Sequence, residues 1–190
     1  LRDRRGQRVR DDPVAALTPL RILAGVATVV ALACARTGLA AVAAIDDAGS
    51  AVTLPRPAQR IVSLAPHATE LLFAAGAGHA VVGVVAHSDW PPAARALPRV
   101  GDAAALDLER IVALAPELIV AWPYTTPAQL AALRAQRIAV FVSDPKSIAG
   151  IADDVEKLGA LAGTKGTAQP VAAALRARRA ALAAQFAAAP

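Results

Sequence analysis

Four short runs of apolar residues return along this chain, and each is followed by a stretch with helical spacing. They are Arg60-Ile61-Val62-Ser63-Leu64, Val81-Val82-Gly83-Val84-Val85, Glu117-Leu118-Ile119-Val120-Ala121-Trp122 and Ile138-Ala139-Val140-Phe141-Val142. Apolar on both sides and rich in β-branched residues, such runs read as strands buried on two faces, which is the mark of a mostly parallel sheet. The connecting segments fit helices. Thr69–Ala75 stops at Gly76 and Gly78, and Asp107 opens a helix through Leu114 with Leu108, Ile111, Val112 and Ala115 on one face. Pro127–Arg137 follows, and Ser147 opens a helix whose Ile148, Ile151, Val155 and Leu158 keep a helical period. A long Ala/Arg-rich helix runs from about Thr167 to Ala188. Ahead of the first buried strand, Asp46-Asp47-Ala48-Gly49-Ser50 is turn chemistry, and Ala51-Val52-Thr53-Leu54 suits the second strand of a hairpin. The expected fold class is α/β: a three-layer, Rossmann-like lobe with a mostly parallel sheet, followed by a long helix.

Charge placement narrows the function classes. The 190-residue chain carries a formal net charge of +5. Residues 1–43 hold seven arginines against three aspartates, and the stretch from Lys165 onward has four basic residues and no acid. Residues 44–164 hold nine basic and twelve acidic side chains, so the folded body is acidic. A nucleic-acid binder concentrates base on its folded face, and this chain places it at the two ends. The first forty-odd residues have the three parts of a secretory signal: an Arg-rich start, the uncharged run Ile22–Ala35, and Ala41-x-Ala43 as a cleavage pattern. Residues 1–43 are therefore expected to be a signal peptide, 44–164 an α/β substrate-binding lobe, and 165–190 a helix leading out of it. A spanning helix needs about twenty apolar residues, and Arg36 interrupts the run before that. Cys34, the single cysteine, excludes an intrachain disulfide. Its setting, Ala31-Leu32-Ala33-Cys34, is similar to a bacterial lipidation box with the leucine one place out of position. Lipid anchoring at Cys34 is the minor alternative to an apolar passenger of the signal.

Loops leaving the carboxyl ends of parallel strands form the ligand crevice. Here they are Ala65-Pro66-His67, Ala86–Pro92, Trp122–Thr126 and Ser143–Pro145. Familiar catalytic patterns are missing from them. Gly76-x-Gly78 follows a helix and precedes a strand, the wrong order for a dinucleotide loop. No phosphate-binding Gly-x-x-x-x-Gly-Lys occurs, and Ser88, His87 and Asp89 are sequence neighbours that point different ways in an extended segment. His67, His79 and His87 are too scattered for a metal cluster. His79 reads as a solvated turn residue and His67 as a residue at a helix start. His87 is open between a hydrogen-bonded loop histidine and a crevice residue beside Trp90 and Pro91. Trp122 and Tyr124 enter the crevice either as lid packing or as a ligand wall.

The segment Leu54-Pro55 … Pro57-Ala58-Gln59-Arg60-Ile61-Val62-Ser63-Leu64-Ala65-Pro66-His67-Ala68-Thr69-Glu70 resembles the opening of periplasmic substrate-binding proteins for cobalamin, iron-siderophores and haem. Ser88-Asp89-Trp90-Pro91-Pro92 and Leu106-Asp107-Leu108-Glu109-Arg110-Ile111-Val112 … Pro116-Glu117-Leu118-Ile119-Val120-Ala121-Trp122 resemble the cobalamin branch most. The resemblance implies a receptor of two lobes joined by one long helix, feeding the permease of an ABC importer, with the ligand between the lobes and no cofactor of its own. It implies a periplasmic, monomeric, non-enzymatic protein of which this chain is the N-terminal lobe, ending where the second would begin.

From the crevice loops and the resemblance together, the expected ligand-binding set is Pro66, His67, His87, Trp90, Ala103, Trp122 and Tyr124. Trp122 matches an aromatic that walls the cobalamin, while His87 falls where such proteins can carry Tyr and Ala103 where they can carry Trp. An imidazole at 87 could reach the ligand's metal as an axial ligand. Glu109 matches an acid that docks to a permease arginine; alone, it equally suits the start of a helix. The implied alternatives are an iron-siderophore or haem receptor, and a lobe that binds nothing by itself. An exported α/β hydrolase or oxidoreductase is the competing class, and it lacks a nucleophile with a positioned base.

Overall fold

Alternate residues of each central strand feed two separate cores, and this alternation sets the layering. The computed structural model describes residues 40–102 and 105–187. Its main sheet has four parallel strands in the order β4-β3-β5-β6: β3 is Ile61–Ser63, β4 Val81–Val84, β5 Leu118–Ala121 and β6 Ala139–Val142. Ile61, Leu118, Val120 and Phe141 face one core, which they share with helices α1 (Pro66–Ala74), α4 (Ile148–Ala162) and α5 (Lys165–Gln185). Val62, Ile119, Ala121 and Val140 face the other, with Ile111 of α2 (Leu108–Ala113) and Leu133 of α3 (Pro127–Ala135). Side chains of a strand point to opposite faces in turn, so a strand that is apolar throughout can serve two helical layers. This is the three-layer α/β lobe the sequence predicts.

The hairpin of β1 (Val42–Ile45) and β2 (Ala51–Leu54) is antiparallel and separate from the main sheet. Its paired strand begins at Val42, two residues ahead of the expected start of the lobe at Ala44. Its turn is stitched to the end of β6. The Asp47 amide donates to Val142 O at 3.0 Å, the Val142 amide donates to Asp46 Oδ2 at 3.2 Å, and the Asp144 amide donates to Asp47 Oδ2 at 2.7 Å. The Arg-rich segment and Cys34 lie outside the described residues, as does Ala103.

Helix boundaries differ from the sequence reading in informative ways. α1 begins at Pro66, three residues earlier than Thr69, because proline is tolerated in a first turn that lacks amide acceptors anyway. α2 is only six residues long and buries Ile111 alone, so Val112, expected on the core face, is 41% exposed. Ala115 leaves that helix at φ 44°, which turns it away from the core as well. Asp107 and Ser147 cap as expected, accepting from the amides of Arg110 and Gly150 at 2.9 and 3.0 Å. Thr126 and Gln129 add a reciprocal capping box at the start of α3.

Helix α5 lies against α4. Ala168 and Ala172 are buried there, and a Cβ placed on Gly159 would lie 2.3 Å from the Ala168 Cβ. Small residues on both helices let the backbones approach closely. Arg176 spans the same pair, donating to Glu156 at 2.9 and 3.0 Å and to Asp153 at 2.6 Å.

Candidate ligand cleft

At the carboxyl ends of the strands a cleft of about 470 Å³ opens. Helix α1 supplies His67, Glu70 and Leu71, the segment after β5 supplies Trp122, Pro123 and Tyr124, and Asp144, Pro145 and Ile151 close the far side. His67 is the second residue of α1, directly after the proline that starts the helix, and its imidazole lines the opening. The ring centroids of His67 and Trp122 are 5.9 Å apart, and those of Trp122 and Tyr124 are 4.7 Å apart. Both pairs are tilted, within the range in which aromatic rings attract one another. The result is a continuous aromatic wall. Tyr124 remains 73% exposed, so most of its face is free for another surface.

A second hollow of about 460 Å³ adjoins the first and shares Glu70, Leu71 and Ile151 with it. Phe73, Trp90, Pro91 and Leu175 are among its walls. The exposed Trp90 ring therefore belongs to the same stretch of surface as the aromatic wall, one hollow further along. Arg99 fixes the loop that carries it, donating to Val85 O at 3.1 Å, Ser88 O at 3.0 Å and Asp89 Oδ1 at 3.0 Å. Arg95 adds a bond to Asp89 O at 3.0 Å.

Of the residues singled out from sequence, His67, Trp122 and Tyr124 line one cleft and Trp90 lines its neighbour. Pro66 is half-buried, and its part is to start α1. His87 is exposed with φ 65° and lines neither hollow. Glu109 is an exposed residue in the first turn of α2, on the opposite face of the sheet from α1, α4 and α5. His79 is exposed in its turn, with Nδ1 3.2 Å from Gly76 O. Glu70, Leu71, Asp144 and Ile151 were not singled out. Asp144 and Pro145 stand in a loop that the strand pattern places at the crevice, and Ile151 carried only a core signal from its helical period.

Beneath the cleft floor the polar groups are satisfied. Thr69 Oγ1 lies 2.9 Å from Ser63 Oγ and 3.2 Å from Ser88 Oγ, joining three crevice segments in one buried hydroxyl cluster. Ser88 is committed to that cluster, and among the described residues no hydrogen bond links it to His87. No catalytic triad is assembled there. Asp154 is fully buried, receives a 2.6 Å hydrogen bond from Ser143 Oγ, and pairs with Lys157 at 3.1 Å. Burial pushes the Asp154 carboxyl up to about 6, against the pull of the Ser143 and Lys157 hydrogen bonds. Lys157 also reaches Asp47 at 2.6 Å. Burial works upward on Asp47 too, but there the hydrogen bonds from Lys157 and the Asp144 amide prevail and hold the carboxyl below its usual range. Among the described residues no cluster of His, Cys, Asp and Glu is arranged to hold a metal ion, and no helix is long and apolar enough to cross a membrane.

An aromatic-walled cleft of this size suits a large, mostly apolar ligand. The vitamin B12-binding protein of Vibrio cholerae serotype O1 is 44% identical over 110 residues, which is 57% of this chain and 40% of the relative. That of Yersinia pestis is 45% identical over 111 residues, with the same coverage. Among solved structures, the periplasmic vitamin B12-binding protein BtuF of Vibrio cholerae superposes with a TM-score of 0.66 at 41% identity, covering 70% of this chain and 52% of that one. A periplasmic haem-binding protein from Pseudomonas aeruginosa gives 0.61 at 28% identity, over 69% and 48%. The chain thus spans about 40% of the length of the curated relatives it matches. The pattern of periplasmic binding proteins matches residues 61–188, from the first strand of the main sheet through the last helix, and the chain belongs to the periplasmic binding protein family.

Proposed function

We propose that this chain supplies one wall of the ligand cleft in the substrate-binding component of an ABC importer, and that its ligand is cobalamin or a related corrinoid. The observation that carries the reading is the wall formed by His67, Trp122 and Tyr124 at the carboxyl edge of the sheet. Its apolar aromatic area suits a large macrocycle, and the relatives named for vitamin B12 binding share more than 40% of their residues with this chain over the matched region. The protein acts in the periplasm by binding and release, without chemistry on the ligand. Cys34, within the signal segment, is an apolar passenger of it, with lipid anchoring there as the minor alternative.

Glu109 is the docking residue toward the permease. It projects from the start of α2, where the helix dipole favours a carboxylate, and a carboxylate–guanidinium pair would give the contact direction. The likeness to a haem-binding protein supports a second reading, in which the ligand is haem or another metal chelate. Titrating the purified chain with cyanocobalamin, haem and ferric siderophores, followed by intrinsic Trp fluorescence, separates these. Saturable quenching by cyanocobalamin alone supports the corrinoid reading, and a response to haem alone replaces it with the second.

A further inference from the structure

The aromatic wall explains why a flat ligand would settle here but does not choose among flat ligands. The charged groups around it do. Glu70 lines both hollows and stands at the seam between them. It is exposed, and among the described residues it has no hydrogen-bond or ion-pair partner. Asp144, across the first hollow, is the other carboxylate in the lining; its charge is answered by Lys146 at 2.6 Å. Neither hollow has an arginine or a lysine among its described lining residues. Glu70 is thus an unanswered, solvent-exposed carboxylate at the seam of two hollows otherwise lined largely by apolar and aromatic side chains.

We infer that Glu70 is a specificity-determining residue that selects ligands whose rim presents amide N–H donors and rejects those whose rim presents carboxylates. This rests on the receptor reading above and deepens it. A carboxylate accepts hydrogen bonds and donates none, so an amide rim can meet it directly. A carboxylate rim would set two negative charges side by side. The two candidate macrocycles differ in this respect, since the corrinoid rim carries amides and the haem rim carries propionates. The same wall can stack on either, and the charge at its seam decides between them.

The experiment compares cyanocobalamin with its monocarboxylate derivative, in which one rim amide is hydrolysed, so that stacking area is unchanged. The wild-type chain should bind the amide form about fivefold tighter or more, the size of one close charge repulsion at a wetted surface. Glu70→Gln should bring the ratio close to one, and Glu70→Lys should invert it. In the wild type the preference should shrink as salt is raised, because the group is exposed. An exposed helix position makes both variants foldable, and an unchanged melting temperature checks this. Ratios that stay the same in both variants while cyanocobalamin still binds would overturn the role of Glu70 and leave the receptor reading in place. If the wild-type chain binds neither corrinoid, the receptor reading falls and the inference with it.

Discussion

Ser143 Oγ donates a 2.6 Å hydrogen bond to Asp154, so the residue that follows β6 is tied to the buried face of α4. The cleft wall depends on that tie. Asp144 and Pro145 come directly after Ser143, Ile151 lies one turn before Asp154, and the Ser143 carbonyl is 3.4 Å from His67 Nε2. The same carboxylate pairs with Lys157, which in turn holds Asp47 of the hairpin turn. One buried acid thus couples the hairpin, the end of the sheet and the far side of the cleft.

That acid predicts a pH signature. Its folded pKa, about 6, lies above the ordinary aspartate value, so between roughly pH 4 and 6 the folded state holds a proton that the unfolded chain has released. Asp154 therefore lowers stability as pH rises through this window, and above it the cost is complete. Asp47, with its lowered pKa, acts in the opposite sense, losing its stabilising effect as pH falls. Asp154→Asn removes the first contribution and keeps the Lys157 and Asp144 hydrogen bonds that dominate the second. In denaturant melts from pH 7 to pH 4, the stability of the wild type relative to this variant should rise as pH falls. A difference that does not change with pH would show that Asp154 titrates normally.

The contact of Gly159 with Ala168 leaves no room for a methyl group. Gly159→Ala should destabilise the lobe by about 1–3 kcal/mol despite the better helix propensity of alanine, because overpacking outweighs propensity when neither backbone can yield. Thermal melts of Gly159→Ala and of Gly166→Ala, whose added Cβ would meet nothing within 4 Å, provide the comparison. Equal melting temperatures would contradict the close approach of α4 and α5.

Arg99 makes three hydrogen bonds to the loop that presents Trp90. Arg99→Ala should cost about 1–2 kcal/mol, since its guanidinium is partly exposed, and should raise amide exchange between residues 85 and 91 well above that of the sheet. Ligand affinity should fall along with the order of this loop. Protection of the loop unchanged from the wild type would assign its rigidity elsewhere.

Trp122 stands between His67 and Tyr124, so its removal breaks the aromatic wall at its centre. Trp122→Ala should weaken cyanocobalamin binding by about thirtyfold, the scale of a central aromatic hot spot, as read by calorimetric titration. His87→Ala, which alters neither hollow, should leave both affinity and the ligand's visible spectrum unchanged. A spectral change on that substitution would restore His87 as a metal ligand.

If Glu109 docks to the permease as proposed, Glu109→Lys separates docking from binding. Because Glu109 is exposed on α2, away from both hollows, the affinity for cyanocobalamin should match the wild type. Uptake by cells that rely on the proposed receptor should fall at least about tenfold. Loss of binding in the purified variant would instead give Glu109 a structural role.

The layering of the lobe was legible in the chain because strands such as Leu118–Ala121 are apolar at every position, a pattern that only a sheet covered on both faces satisfies. Caps such as Asp107 and Ser147 were equally legible, since a cap is a local hydrogen bond between near neighbours. The crevice loops followed from the parallel order of the strands, and with them the approximate place of Trp122 and Tyr124. What only the tertiary structure decided was membership of the cleft. Glu70 and Ile151 carry ordinary helical signals, and nothing local shows that α1 and α4 flank one opening. His87 and Trp90 share a loop, yet the positive φ at His87 and the grip of Arg99 leave the tryptophan at the cleft margin and the imidazole outside it. Local chemistry determines which elements form, whereas a site gathers residues distant in sequence, and the angle at which each loop leaves the sheet determines which of them meet.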